Sequence, residues 1–262
     1  MRLCFVRNTS TTAHHMLDSI QPSRNALLFY DKDETLENFL FSYVKRGLQK
    51  GETVFYWSGI RTVEKAEERM SSYGIDCDYH KKNGMLHFTT YDEMFLVDGR
   101  LDLLHCHRNL FDILTKIRHG NNVRVATESN WWLLADVFEN GIDMEATHEM
   151  IPQFASVVCT YNVADLLKYV NIYHLAKLME LHDYTLLQTK GSLMLPVEFY
   201  SYLGKCILEV LEDSFEYITV LRKKHSRFIS EVLAELQMRI GSDMGELERN
   251  VEQKLSHKLK LD

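Results

Sequence analysis

The chain has 262 residues, with 30 Lys+Arg against 37 Asp+Glu and a net charge of -7, and its 45% hydrophobic and 26% charged residues are ordinary globular values. A chain of this length buries roughly 70–75% of its unfolded surface, so it needs no disulfide or metal staple, and disorder is excluded as its dominant state. The acidic balance argues against a protein that coats nucleic acid, and no apolar run approaches the ~18 residues of a membrane-spanning helix.

Residues 1–24 lack the apolar centre of a signal peptide and are read as an N-terminal extension. From residue 26 onwards, strand-like and helix-like runs alternate. Ala26–Tyr30 (ALLFY) is a continuous apolar run, the pattern of a strand buried on both faces. Leu36, Phe39, Leu40, Tyr43, Val44 and Leu48 then recur at 3–4 spacing, which predicts an amphipathic helix closed by Gly51. Thr53–Trp57 is β-branched and aromatic, hence a second strand; a charged helix over about 62–73 ends at Gly74. Met85–Thr90 reads as a third strand, and the turn Val97-Asp98-Gly99-Arg100 precedes a helix over about 102–118. Val123–Thr127 is a fourth strand, Trp131–Phe138 a helix and Ala155–Tyr161 a fifth strand. Such alternation predicts an α/β fold with a mostly parallel central sheet and helices on both faces. Tyr184–Leu187 and Ser192–Leu195 are expected to form a hairpin around Thr189-Lys190-Gly191. Beyond Pro196 the pattern is helical, with one apolar stripe at Ile218, Leu221, Phe228, Val232 and Leu236 and another at Leu247, Val251, Leu255 and Leu259. The expected organisation is an extension (1–24), an α/β domain (25–195) and a C-terminal helical segment (196–262).

In open parallel sheets, ligands bind beyond the carboxyl ends of the strands. Those ends carry Tyr30-Asp31, Trp57-Ser58, Thr90-Tyr91, Thr127-Glu128-Ser129 and Cys159-Thr160-Tyr161. The expected site is a pocket lined by Tyr30, Asp31, Trp57, Ser58, Tyr91, Trp131 and Tyr161, suited to a small, largely apolar molecule oriented by Glu128. The bland alternative is that these aromatics only pack the sheet and Glu128 faces solvent. Arg124 lies four residues before Glu128 on the same strand face and is expected to join it or to bind Glu145. Glu128, Glu145 and Glu149 could also supply a carboxylate pair for general acid/base chemistry, which leaves an enzyme as the second reading.

Other chemistries fit less well. The loop Asp31-Lys32-Asp33-Glu34 has no glycine and three acids, so neither GxxxxGK[ST] nor GxGxxG is present to cradle a phosphate. His105-Cys106-His107 on a helix point apart, Glu145 with His148 has no second copy, and Cys77 with His80, in a stretch read as a loop, has no matching pair. No metal or other cofactor is therefore expected. There is no GxSxG, and Cys159 at the end of an apolar strand reads as a buried small hydrophobe. The five cysteines (Cys4, Cys77, Cys106, Cys159 and Cys206) never reach CxxC spacing, which suggests reduced thiols and a cytoplasmic protein. The basic cluster Arg222-Lys223-Lys224-His225-Arg227 reads as a solvated helix face, with contact to nucleic acid or an acidic partner as the alternative.

The sequence also resembles a known family. Asn25–Tyr30 with its acidic loop, Arg46-Gly47-Leu48, Lys50-Gly51-Glu52, Gly74-Ile75-Asp76, Asn83-Gly84-Met85-Leu86, Tyr91, Val97-Asp98-Gly99-Arg100, Arg124, Thr127-Glu128, Glu145, Cys159-Thr160-Tyr161 and His182 follow the order and spacing of the MEDS domain. MEDS is the methanogen/methylotroph sensory domain of dichloromethane-regulator type. The likeness covers about residues 25–195. It implies a RecA/KaiC-like fold without its phosphate loop, a non-enzymatic role in sensing hydrocarbon derivatives and transcription regulation, and an archaeal source. Three positions depart from the family pattern: Asn25 stands for His, Thr127 for Gly and Ser129 for Met. The expected protein is a small-molecule sensor, homodimeric through its C-terminal helices, with a kinase or transcription regulator as candidate partner. An inert core carrying an interaction scaffold is a further alternative.

Overall fold

The computed structural model of the chain describes residues 20, 24–116, 122–135, 137–138, 141–142, 155–170, 172–189 and 192–194, with 249 and 253. The expected C-terminal helices, their basic cluster and the dimer contact lie outside the described residues.

The strands are β1 (Arg24–Tyr30), β2 (Thr53–Ser58), β3 (Leu86–Thr90), β4 (Leu96–Val97), β5 (Arg100–Leu101), β6 (Val123–Thr127), β7 (Ala155–Asn162), β8 (Tyr184–Thr189) and β9 (Ser192–Met194). The helices are α1 (Asp33–Gln49), α2 (Val63–Ser72), α3 (Cys77–Lys82), α4 (Tyr91–Phe95), α5 (Leu103–Lys116), α6 (Trp131–Leu134), α7 (Val163–Tyr169) and α8 (Ile172–Glu180). Among the described residues seven strands form one sheet in the order β3-β2-β6-β7-β1-β8-β9, and β4 pairs with β5 as a separate ribbon of two residues per strand. Within that sheet every neighbour from β3 to β8 is parallel, and β8 and β9 pair antiparallel, as the expected hairpin.

The apolar runs explain the sheet's centre. β1, β2, β6 and β7 are buried almost throughout, as strands covered on both faces must be. The apolar stripe of α1 (Leu36, Phe39, Leu40, Tyr43, Val44 and Leu48) packs over them with Tyr56, Val54 and Leu28. Side chains buried in this way each contribute about 1.5–3 kcal/mol relative to exposure.

Several elements differ from the sequence reading. Cys77–Lys82 is a helix rather than a loop, started by Asp76, whose side chain accepts the Tyr79 N–H at 3.0 Å. α4 is set by a capping box: Thr90 Oγ1 accepts the Glu93 N–H at 3.1 Å and Glu93 Oε2 accepts the Thr90 N–H at 2.9 Å. The helix expected over 131–138 stops at Leu134. α7 and α8, between β7 and β8, carry the chain past β1 where the sequence pattern assigns no element.

This topology creates a switch point. From β1 the chain crosses β7 and β6 to reach β2, whereas from β7 it crosses β1 to reach β8. The crevice between the carboxyl ends of β1 and β7, where Tyr30 is in register with Asn162, is therefore where connections diverge.

The opposite end of the sheet is closed by Arg124. Its guanidinium pairs with Glu52 through Nε, donates to the Tyr43 carbonyl at 3.3 Å and lies 4.7 Å from the Tyr43 ring centroid. Gly47 of α1 permits this, because a Cβ there would stand 2.6 Å from Arg124 Cδ and 3.0 Å from Val54 Cγ2. Gly47→Ala is expected to cost about 1–3 kcal/mol in urea unfolding, from overpacking against an arginine already fixed by its carboxylate. A change below ~0.5 kcal/mol would show that the arginine yields freely.

Candidate functional site

The carboxyl edge of the sheet is organised around Glu128, the residue after β6, which is 0% exposed. A buried carboxylate is costly unless its oxygens are matched by donors and an opposite charge, and the β2–α2 loop supplies both. Tyr56 donates to Oε1 at 2.7 Å, and the backbone N–H groups of Gly59 and Ile60 donate to Oε2 at 3.0 and 2.9 Å. Ser58 Oγ lies 3.4 Å from Oε2, and Arg61 Nε forms an ion pair with Oε1 at 2.7 Å. The loop approaches so closely that a Cβ on Gly59 would sit 2.4 Å from the Glu128 carbonyl oxygen. Only glycine fits.

Arg61 carries the network outward, donating through an Nη to Glu37 Oε1 at 2.7 Å, and Glu37 also receives Arg69. Two carboxylates and two guanidinium groups thus balance along one line from core to surface. Burial alone would raise the Glu37 pKa, but hydrogen bonds from Arg69 and Arg61 outweigh it and hold the carboxyl below the usual carboxylate range.

Beside this line stands Tyr30, at the end of β1 and 1% exposed. Burial raises its phenol pKa far above the ordinary value; the charges of Asp33, Glu128 and Asp165 push in the same direction, while Arg61 opposes them. The phenol stays protonated. Asp165, in the first turn of α7, is held by Asn130 Nδ2 at 2.8 Å, and Asn130 Oδ1 accepts the Asn162 N–H at 3.1 Å. Asp31 accepts the Thr35 hydroxyl at 2.9 Å, and Asp33 is exposed at the start of α1.

The expected aromatic lining is mostly packed on itself. Tyr91 stacks on Trp131 (5.3 Å between centroids) and on Phe95 (5.2 Å), and Trp132 meets Phe95 edge-on at 4.6 Å. Trp57 abuts Tyr91 and Phe95 from β2, and its buried indole N–H has no hydrogen-bond partner among the described residues. Tyr161 is fully buried against Phe138. Thr127 and Ser129, two positions that depart from the pattern of the resemblance, join this plug: Tyr91 donates to Ser129 Oγ at 2.9 Å, and Ser129 and Thr127 hydroxyls lie 2.7 Å apart. The sequence reading missed Phe95 and Trp132, although their spacing from Tyr91 and Trp131 carried the signal.

Arg124 is corrected. It binds Glu52 at the amino end of the strands, four residues below Glu128, and takes no part in the carboxyl edge. Its expected partner Glu145, with His148 and Glu149, lies outside the described residues. Glu128 neither faces solvent nor pairs with Arg124; its cation is Arg61, on a loop that carries no periodic signal. Burial pushes the Cys106 thiol up to about 12, and His105 is taken up by the Glu93 carbonyl and Asn109. Among the described residues no three metal-ligating side chains converge, the three described cysteines form no disulfide, and no helix is long and apolar enough to cross a membrane.

The family model described as MEDS, the methanogen/methylotroph, DcmR sensory domain, matches residues 26–183. The chain belongs to the MEDS family. Its α/β sheet resembles that of the KaiC-like protein PH0186 from Pyrococcus horikoshii OT3, at TM-score 0.51 and 12% identity over 66% of this chain and 78% of that one. The uncharacterised protein PH0321 from Pyrococcus horikoshii, solved with an unknown peptide, matches at TM-score 0.49 and 12% identity over 68% and 86%. PH0250 from the same organism gives TM-score 0.49 and 12% identity over 70% and 90%. No curated protein matches. The MEDS chain is thus a sensory domain on a KaiC-like fold.

In this MEDS domain, Arg61→Met is expected to cost about 3–5 kcal/mol in urea unfolding, since it strands the carboxylates of Glu128 and Glu37. The double variant Arg61→Met/Glu128→Gln is expected to recover part of that loss; strict additivity would break the assigned pairing. Glu37 has a lowered folded pKa, so its stabilisation is present above the ordinary carboxylate value near ~4.3 and is lost as pH falls through the folded value. Glu37→Gln is therefore expected to flatten the acid side of the stability–pH curve, and an unchanged acid slope would contradict that assignment.

Proposed function

We propose that this MEDS domain is a non-enzymatic sensor that takes a small organic molecule at the carboxyl edge of its sheet, at the crevice between β1 and β7. The observation that carries this reading is the internal saturation of Glu128: its two oxygens are occupied by Tyr56, Gly59, Ile60 and Arg61. A carboxylate so engaged is poorly placed to move a substrate proton, which disfavours the general acid/base alternative. The loop after β1 offers acids where nucleotide-binding sheets offer glycines and backbone amides, which disfavours ATP turnover. At the same edge the buried Trp57 indole N–H is a donor that the described residues leave unmatched, and a ligand would satisfy it.

Signalling follows if binding alters the start of α1 or α7, since both leave the crevice and α1 packs across β2 and β6. Residues 196–262 would pass that change on, either as a homodimer contact or to a kinase or transcription regulator.

The test is a titration of the full chain with short-chain alcohols, amines, halogenated alkanes and nucleotides, read by urea unfolding, with ATP hydrolysis measured in parallel. A ligand at ~100 times its Kd is expected to add about 2.7 kcal/mol, with no phosphate released from ATP. ATP turnover abolished by Glu128→Gln would overturn the proposal in favour of an enzyme. Light scattering at micromolar concentration is expected to give a dimer that residues 1–195 alone do not form.

A further inference from the structure

We infer that the β2–α2 loop is a carboxylate receptor that the chain holds shut with its own side chain: Glu128 occupies, in cis, the place that a free short-chain carboxylate would take. The inference goes beyond the sensor reading, which concerns the crevice between β1 and β7, and does not depend on it.

The donors are arranged as a receptor arranges them. The backbone N–H groups of two successive residues, Gly59 and Ile60, converge on one oxygen, Glu128 Oε2, at 3.0 and 2.9 Å. Successive amides aimed at a single anion are how backbone nests capture free carboxylates. The other oxygen, Oε1, takes the Tyr56 hydroxyl and the ion pair with Arg61 Nε, each at 2.7 Å. Burial, and after it the charge of Glu128, hold the Tyr56 phenol well above its ordinary pKa, so it remains a donor. Ser58 Oγ donates to the Arg61 carbonyl, which ties the loop back on itself.

Receptor and anion also belong to different elements. Residues 56–61, on β2 and its loop, supply every one of these donors, whereas the carboxylate arrives from the end of β6. Glu128 is 0% exposed, while Gly59, Ile60 and Arg61 are half-buried, so the loop itself is the lid over the anion. Its close seat depends on Gly59, where a Cβ would stand 2.4 Å from the Glu128 carbonyl oxygen and 2.7 Å from Trp131 Cβ.

Occupancy reaches beyond the loop. Arg61 pairs with Glu37 of α1 at 2.7 Å, and Glu37 in turn with Arg69 of α2. An anion in the cradle therefore helps to fix how the start of α2 is held against α1. The contact is autoinhibitory: while Glu128 fills the cradle, an outside carboxylate has no donors to bind. Truncation at Cβ removes a methylene and a carboxylate, the heavy atoms of acetate, and so names the probe.

The test is urea unfolding of full-length Glu128→Ala in sodium acetate, in the bulkier sodium trimethylacetate and in sodium chloride at equal ionic strength. Acetate at ~10 times its Kd is expected to raise the midpoint of Glu128→Ala by at least ~0.3 M over chloride, with no such gain in the native chain or from trimethylacetate. If the variant is unfolded in chloride, recovery of its circular dichroism in acetate is the same result. Tyr56→Phe in the Glu128→Ala background is expected to weaken the acetate effect several-fold. Hydrogen exchange of the native chain gives an independent reading: the Gly59 and Ile60 amides are expected to be protected at least ~100-fold, and in Glu128→Ala their protection and that of the first turn of α2 are expected to return only with acetate. Freely exchanging Gly59 and Ile60 amides in the native chain, a Glu128→Ala variant that gains no more from acetate than from chloride, or a native chain that gains as much as the variant, overturns the inference. None of these outcomes bears on ligand binding at the β1–β7 crevice.

Discussion

The energetic constraint that shapes this molecule is the burial of the Glu128 carboxylate. A charge removed from water can cost more than any single apolar contact returns, so its surroundings must supply donors from fixed positions. Here they come from one strand, Tyr56 on β2, and from the loop that follows it, residues 59–61. The loop can approach only because Gly59 has no side chain, and its arginine then needs Glu37 of α1, which in turn takes Arg69 of α2. One acid at a strand end therefore fixes a loop and the relative placement of two helices.

That arrangement separates the carboxyl edge into two zones. Over β2 and β6 lies a plug of stacked rings, Trp57, Tyr91, Phe95, Trp131 and Trp132, locked by a chain of hydroxyls through Ser129 and Thr127. Over β1 and β7 lies a polar crevice with Tyr30, Asp33, Asn130 and Asp165. The first zone is aromatic and packed on itself, whereas in the second Asn130 bonds both Asp165 and the Asn162 N–H and Asp33 is exposed.

The central strands were legible because a strand covered on both faces must be apolar at every position, and ALLFY, TVFYW and ASVVCTY satisfy that without ambiguity. Helix α1 was legible because seventeen residues give the 3.6-residue period room to repeat. α3 and α4 span six and five residues, too few for a period, and only their caps at Asp76 and Thr90 betrayed them. At the site, strand-end position alone picked out Glu128 and Tyr30. Their partners could not be read the same way: Arg61 precedes Glu128 by 67 residues in a non-periodic loop, and spacing favoured Arg124, which the strand carries to the far end of the sheet.

The capping box at the head of α4 also bears on self-association. β3 is the outermost parallel strand, and an outermost strand offers its backbone to any neighbouring chain. Because Glu93 takes the Thr90 amide and the Thr89 hydroxyl, that strand ends in a bond to its own helix. An intruding polypeptide extending the sheet would find only a few unclaimed positions before the ladder is blocked, a modest local guard against fibrous aggregation at this margin.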